Sequence, residues 1–437
     1  MFTTLKNAFK IKEIRSKLLF TFLMLIVIRF GSQLPVPGVD RDYFAKWFAQ
    51  QTGGAFNFFD AFTGGSFLNM SVFALNITPY ITSSIIMQLL TIAIPKLEEL
   101  QKEGEDGRKK IASWTRYVTV ILAVVESAAM AIGFGNQGLL EEYNALNVIT
   151  VIAALTAGSA FLMWIGERIT EKGVGNGISI VLVINIISRM PDDFNNLYEQ
   201  FMKGKSIPLA TVAALVIIAI ILVMIVIVVI LNGGQRKIPV QYAKKIQGNK
   251  MVGGQSTFLP LKVNTAGVIP IIFASSLMQF PIVISSLAGY QGTGIWAHIL
   301  NGLNQDNWCK PSDLKYSIGL LVYVLLVIFF AYFYTSLTFN PLEIANNMKK
   351  QGGFIPGIRP GKPTSDYLSK VLNAIIFIGA IGLLIIAVVP FFFNGVFGAS
   401  VSFGGTSLII IVSVVLETIK QIESQMLVRN YKGFLND

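Results

Sequence analysis

Apolar residues arrive along this chain in blocks of about 20, the length an α-helix needs to cross roughly 30 Å of hydrocarbon. Bounded by charges or turn residues, the blocks fall at about 18–34, 73–94, 113–133, 147–165, 174–190, 208–231, 264–287, 316–338, 371–389 and 405–428. The pattern predicts an all-α polytopic membrane protein with ten transmembrane helices. The first block follows five basic residues, as a signal peptide would. It ends in Leu34-Pro35-Val36-Pro37-Gly38 with no small-x-small cleavage site, so it reads as a retained span.

Charge then orients the spans. Of 35 Lys and Arg, 26 lie in the N-terminal segment and every second connection after it, against 7 in the other set. Basic residues stay on the cytoplasmic side, which puts both termini there. The net charge of +11 is mostly this asymmetry and implies no nucleic-acid partner. Composition agrees: 14% of the 437 residues are charged, where soluble domains carry about 25%. Three cytoplasmic segments, 95–112, 232–263 and 339–370, are longer than topology requires. Their basic residues suit anionic lipid or an anionic docking partner, and the length favours docking.

Ten spans divide into five plus five, and an odd-numbered half inverts one half against the other. Such repeats place the working site where the halves meet. Pro79-Tyr-Ile-Thr-Ser-Ser-Ile-Ile-Met-Gln-Leu89 matches Pro270-Ile-Ile-Phe-Ala-Ser-Ser-Leu-Met-Gln-Phe280 at five of eleven positions, including Ile81/Ile272 and Gln88/Gln279. Residues 209–231 hold one polar residue, Thr211, and read as a lipid-facing wall. Residues 73–94 hold seven, which suits a helix bordering water. The fifth block is strongly apolar only from Ile178 to Ile187, as a short buried helix would be. Between the first two blocks, residues 55–72 are aromatic but too polar and Gly-broken to span. They read either as an interfacial piece or as a short re-entrant helix in a pore mouth, where irregular backbone survives at membrane depth.

Enzymatic chemistry is hard to assemble from these residues. His298 and Cys309 are each the only one of their kind, which excludes most metal sites, any intramolecular disulfide and the usual nucleophilic triads. Gly173-x-Gly175-x-Gly177 lacks the preceding strand of a phosphate cradle. Glu126 and Glu417 are the few intramembrane carboxylates, fewer than ion-coupled carriers use. No cofactor is expected.

Several stretches resemble the SecY family, the central subunit of the bacterial protein translocase. They are Leu34-Pro-Val-Pro-Gly-Val-Asp40, Ala74-Leu-Asn-Ile-Thr-Pro-Tyr-Ile-Thr-Ser-Ser-Ile-Ile-Met-Gln-Leu-Leu90, Gly166-Glu-Arg-Ile-Thr-Glu-Lys-Gly-Val-Gly-Asn-Gly-Ile-Ser179 and Arg236-Lys-Ile-Pro-Val-Gln-Tyr-Ala-Lys-Lys245. Gln255–Pro270, Asn340-Pro-Leu-Glu-Ile-Ala345 and Gly357-Ile-Arg-Pro-Gly361 continue the match nearly to the end. The resemblance implies two five-helix halves, 1–190 and 208–437, joined by an outer hinge connection at 191–207. An hourglass channel between them would open to the far side and sideways into lipid of a bacterial cytoplasmic membrane. Unfolded secretory polypeptides bearing signal sequences would cross it, and membrane helices would leave through its side.

Residue by residue, the family's apolar constriction falls on Ile77, Ile81, Leu182, Ile186, Ile272 and Ile410, with Leu182 where relatives often have Ile. Apolar side chains at a narrow waist dewet and stop ions. The lateral gate would use Thr82, Gln88, Ser275 and Ser276. The plug would be 55–72, with Phe62, Gly64, Gly65 and Phe67. Arg359, Lys237 and Lys250 would dock the SecA motor ATPase or the ribosome, Asn249 standing where relatives often have a basic residue. SecE and SecG would complete a heterotrimer, and the chain itself would be a passive channel rather than an enzyme. A secondary transporter of a small solute, also built on inverted repeats, is the alternative.

Overall fold

The computed structural model describes residues 8–41, 43–44, 46, 60, 63–136, 138, 140, 142–242, 245–247, 250–252, 256–287, 294–311, 313–397 and 406–433. The helices are α1 Lys12–Gly31, α2 Thr78–Ala93, α3 Pro95–Lys102, α4 Glu105–Asn136, α5 Ala145–Lys172, α6 Gly177–Phe201 and α7 Ile207–Gly233. They continue as α8 Ile269–Leu287, α9 Ile295–Leu303, α10 Ile318–Thr338, α11 Pro341–Lys350, α12 Lys362–Phe397 and α13 Thr406–Gly433. Every apolar block of the sequence lies on a helix. Among the described residues, five helices are long and apolar enough to cross a membrane, or six if the bent pair α2–α3 is one span. Others carry charge within their bounds: Lys12, Glu13, Arg15, Lys17 and Arg29 in α1, and Glu417, Lys420 and Glu423 in α13.

In the N-terminal half α4 packs on α2 and α5, and α5 also holds α1 and α6. In the C-terminal half α10 packs on α8 and α12, and α7 on α12 and α13. The halves meet where α13 lies against α6 and α4 against α8. α7 turns Leu209, Val212, Leu215 and Leu222 outward, as a lipid-facing wall would.

Three features differ from the sequence reading. The fold is not all-α. A three-stranded sheet of order β4-β1-β5 joins β1 (Gln235–Tyr242), β4 (Ser256–Lys262) and β5 (Gly353–Phe354), and β2 (Lys245–Gln247) pairs with β3 (Lys250–Val252). β1 alternates, burying Ile238 and Val240 while exposing Lys237 and Pro239. That period of two is what a strand with one covered face requires. It is only a few residues long beside spans of 20, so the apolar blocks obscure it. Secondly, the outer connection expected at 191–207 is helical as far as Phe201, and turns only at 202–206. Pro191 is accommodated inside α6, and Leu197 beyond it packs against Ile217 and Ile221 of α7. The fifth block is therefore a helix of 25 residues rather than a short one. Thirdly, the second and seventh blocks begin a few residues ahead of their helices, and Pro79 and Pro270 stand at the helix starts. Each is the second residue of its own, in α2 and α8, where a missing N–H costs nothing.

The chain reaches α2 through turns at 64–70 and 72–77, with Asn76 at φ +53°. This irregular stretch is enclosed by protein. Val36 and Val72 exchange backbone hydrogen bonds with Met70 and Leu34, and Gly158 of α5 lets the Val72 carbonyl approach where a Cβ would collide.

Candidate functional site

Four helices meet at the centre of the molecule. Ile77 and Ile81 lie four residues apart at the start of α2, and Leu182 and Ile186 repeat that spacing on α6, so each pair shares one helix face. Ile272 comes from the first turn of α8 and Ile410 from the first turns of α13. All six side chains belong to a single hydrophobic cluster, with Phe73 and Ile165 beside them. Ile77, Leu182, Ile186 and Ile410 are buried, whereas Ile81 and Ile272 are half-buried. Ile81 and Ile272 are each the fourth residue of their helix, α2 and α8.

A cavity of about 450 Å³ opens on one side of this cluster. Ile81, Leu182, Ile272 and Ile410 lie at its apolar floor, and Ser84, Gln88, Asn176 and Ser179 supply polar walls. Its rim carries Arg116, whose Nε donates to Glu167 Oε1 at 2.7 Å, tying α4 to α5. Asn176 caps α6 by accepting from the backbone N–H groups of Ile178 and Ser179. The polar content of the second block is thereby sorted. Ser84 and Gln88 face the cavity, while Ser83 donates to the Thr115 carbonyl at 2.7 Å and packs helices.

The gate residues separate. Gln88, with Ile85 and Leu89, lines a small crevice against Phe273 of α8 and Phe330, Phe333 and Tyr334 of α10. Thr82 is half-buried and Ser276 exposed. Ser275 is fully buried.

On the opposite side of the ring, Asn185 Nδ2 donates to Asn76 Oδ1 at 3.0 Å in a fully buried pair. Gly64 presses against Asn185 at φ +66°, where a Cβ would stand 2.7 Å from the Asn185 carbonyl. Its own carbonyl accepts from Arg29 at 3.3 Å and Ser188 at 3.5 Å. Gly65 is likewise left-handed, at φ +83°. Phe67 is buried with Phe44 and Phe134, ring centroids 6.1 and 6.4 Å away, in a cluster separate from the six. Phe62 and most of 55–62 lie outside the described residues. Asp60 is described, fully buried and ion-paired to Arg189 at 2.8 Å. Asp60, Asn185 and Arg189 were not singled out in the sequence, because polar residues near span ends are ordinary, and Asn76, counted there among the seven polar residues bordering water, is instead buried against Asn185.

The long basic connections are folded. Gln241 of β1 pairs with Phe354 and Tyr242 with Gly353, joining segment 232–263 to 339–370. Ile238, Val240, Leu261, Met348, Ile355 and Leu368 form the core beneath. Arg359 is exposed between Gly357 (φ +81°) and Gly361 (φ +103°), while neighbouring Ile358 tucks into that core. Thr364 Oγ1 donates to the Arg359 carbonyl at 2.8 Å. Lys237 projects from β1, and Lys250 opens β3.

A family model described as SecY matches residues 71–419. The protein translocase subunit SecY of Halalkalibacterium halodurans is 45% identical over 443 residues, covering all of both chains. That of Bacillus subtilis is 44% identical over 447 residues, again at full coverage. The chain belongs to the SecY family. Solved structures share its fold. A protein-conducting channel superposes with TM-score 0.63 at 19% identity, over 94% of this chain and 92% of that one. Sec61 from a canine ribosome–channel complex of the endoplasmic reticulum gives 0.60 at 17%, over the same shares. A membership of this kind makes the chain a multi-pass membrane protein of a protein-translocation channel family, and it lends no support to a small-solute transporter.

Proposed function

We propose that this chain is the channel subunit through which unfolded secretory polypeptides cross the cytoplasmic membrane, and from which membrane helices pass sideways into lipid. The carrying observation is the convergence of Ile77, Ile81, Leu182, Ile186, Ile272 and Ile410 in one apolar cluster; four of them, Ile81, Leu182, Ile272 and Ile410, also line a cavity with polar groups on its walls. Apolar side chains at such a waist exclude water and ions when idle, yet make no specific bond that would hold a passing chain. The ten helices that cover the apolar blocks would all span, with the cavity toward the cytoplasm, on the side of the basic connections.

The crevice between α2 and the α8–α10 pair supports a lateral gate. Its walls are apolar apart from Gln88 and Tyr334, so a hydrophobic signal sequence could replace one set of contacts by another at little cost. Segment 55–72, whose Gly64 lies against Asn185, would act as the plug. The sheet platform with Arg359 and Lys237 outward would receive the SecA motor or the ribosome. The ribosome reading is supported by the ribosome-bound channels that share this fold. SecE and SecG would clamp and complete the assembly.

Depletion of the protein tests the function directly. Uncleaved secretory precursors should accumulate in the cytoplasm within a few generations. Unchanged precursor processing, with loss of uptake of some small solute instead, would overturn it.

A further inference from the structure

Asp60 is fully buried, yet both its carboxylate and its backbone carbonyl are engaged. Its Oδ2 lies 2.8 Å from Arg189 Nη2, and its Oδ1 accepts from the Leu68 backbone N–H at 3.0 Å. Its carbonyl accepts from the Gly65 N–H and from Thr63 Oγ1, each at 3.2 Å. One residue therefore ties Thr63, Gly65 and Leu68 together and also fastens them to α6. Arg189 stands three residues beyond the ring residue Ile186, just under one turn along the same helix. The Gly64 carbonyl, gripped by Arg29 and Ser188, is the neighbouring point of attachment.

We propose that Asp60 and Arg189 form a releasable latch that seats this segment beneath the ring and sets how readily the idle channel yields to a signal sequence. The inference rests on the plug reading of the segment and adds what holds it. Two features make the pair releasable rather than simply structural. Arg189 has a second carboxylate, the exposed Asp192, at 3.7 Å, so it keeps a partner if Asp60 departs. Asp60 would regain water on leaving, which offsets much of the lost attraction. A buried ion pair is costly to break by removing one partner, and far less costly to remove as a whole. The latch thus has a distinctive signature. Arg189→Gln leaves a buried carboxylate without its partner and should loosen the seat most. Asp60→Asn should loosen it less, and the double variant should fall below Arg189→Gln.

The test uses the full complex, reconstituted with its partner subunits in planar bilayers. Arg189→Gln should raise the open time of the idle channel roughly tenfold or more, with Asp60→Asn and the double variant below it. The same order should appear in export of a precursor with a weakened signal sequence. Wild-type leak and stringency in both single variants would overturn the latch, as would effects that multiply in the double variant. Because either substitution could impair folding, a second arm keeps the charges out of the question. In a Cys309→Ser background, Asp60→Cys and Arg189→Cys are bridged by a short cleavable thiol crosslinker. Bridged complex should stop translocating and recover on cleavage. Full translocation while bridged would overturn the plug reading itself. A reversible block combined with silent single charge variants would overturn the latch alone.

Discussion

The six ring residues are chemically similar but not equivalent in position. Ile186 and Ile410 are almost wholly buried, at 2% and 1% exposure, while Ile81 and Ile272 are half-buried. On the proposed reading of this cluster as a dewetted waist, Asn in place of any of the four brings a hydrogen-bonding group to it, and resting ion leak should rise in each case. At Ile186 and Ile410 the amide would also be buried without a partner, costing about 1–3 kcal/mol. Thermal unfolding of the purified complex should show that loss at 186 and 410 and little at 81 and 272. Equal shifts at all four, or wild-type single-channel recordings throughout, would move the waist elsewhere. At the docking face, Arg359 is exposed and its loop is pinned by Thr364 and by Ile358, so its side chain contributes little to the fold. Arg359→Glu should abolish export with normal abundance and subunit assembly, and Arg359→Lys should restore it only partly, since an ammonium lacks the planar fork. Unimpaired precursor processing in Arg359→Glu would remove it from the docking surface.

At the scale of elements, the sheet gives the platform its rigidity. β1 is central, holding β4 on one side through seven aligned pairs and β5 on the other through two. Ile238 is its most buried residue, at 2%. Ile238→Ala should destabilise the platform by about 2–4 kcal/mol through the cavity it leaves. Export should fall although Arg359 and Lys237 are untouched, and protease should gain access to 232–263. Resistance equal to wild type would mean the sheet does not organise the docking face. α2 offers a second case. Its polar residues looked alike in sequence, yet Ser83 bonds to α4 while Ser84 and Gln88 border the cavity. Ser84→Val should leave stability within about 0.5 kcal/mol, whereas Ser83→Val should cost about 0.5–1.5 kcal/mol by removing its bond to the Thr115 carbonyl, which still accepts from Thr119 Oγ1. Denaturant titration of the two variants separates them.

At the scale of the molecule, the halves touch along α6–α13 and, more lightly, α4–α8, leaving a crevice from Gln88 to Tyr334. A gate at that crevice must part for a membrane helix to leave. With Cys309 replaced by Ser, Ile85→Cys and Phe273→Cys should crosslink readily in idle membranes. The bridged form should then fail to insert a membrane-protein helix, and reduction should restore insertion. Undiminished insertion while bridged would place the exit elsewhere.

Much of this was legible along the chain because a membrane imposes a one-dimensional rule. Each crossing helix must satisfy its own backbone and present about 20 apolar residues, so block length, charge bias and the Pro79/Pro270 match could be read without any contact. Family motifs carried the ring to Ile77, Ile81, Leu182, Ile186, Ile272 and Ile410, and the fold brings those six into one cluster. What the sequence could not show depends on pairs of residues far apart along it. The Asp60–Arg189 ion pair spans more than a hundred residues, Asn185 meets Asn76 across a similar distance, and β1 reaches β5 only after α8 and α10 have intervened. Neither partner of such a pair carries a local signal, since a lone Asp or Asn near a span end is unremarkable until its partner is placed. The sequence determined that the chain enters a membrane, that its basic residues alternate between connections and which family it resembles. Which polar residues bond across helices, and which border the cavity, was decided by tertiary packing alone, because only packing sets the distance between two groups and the water each has lost.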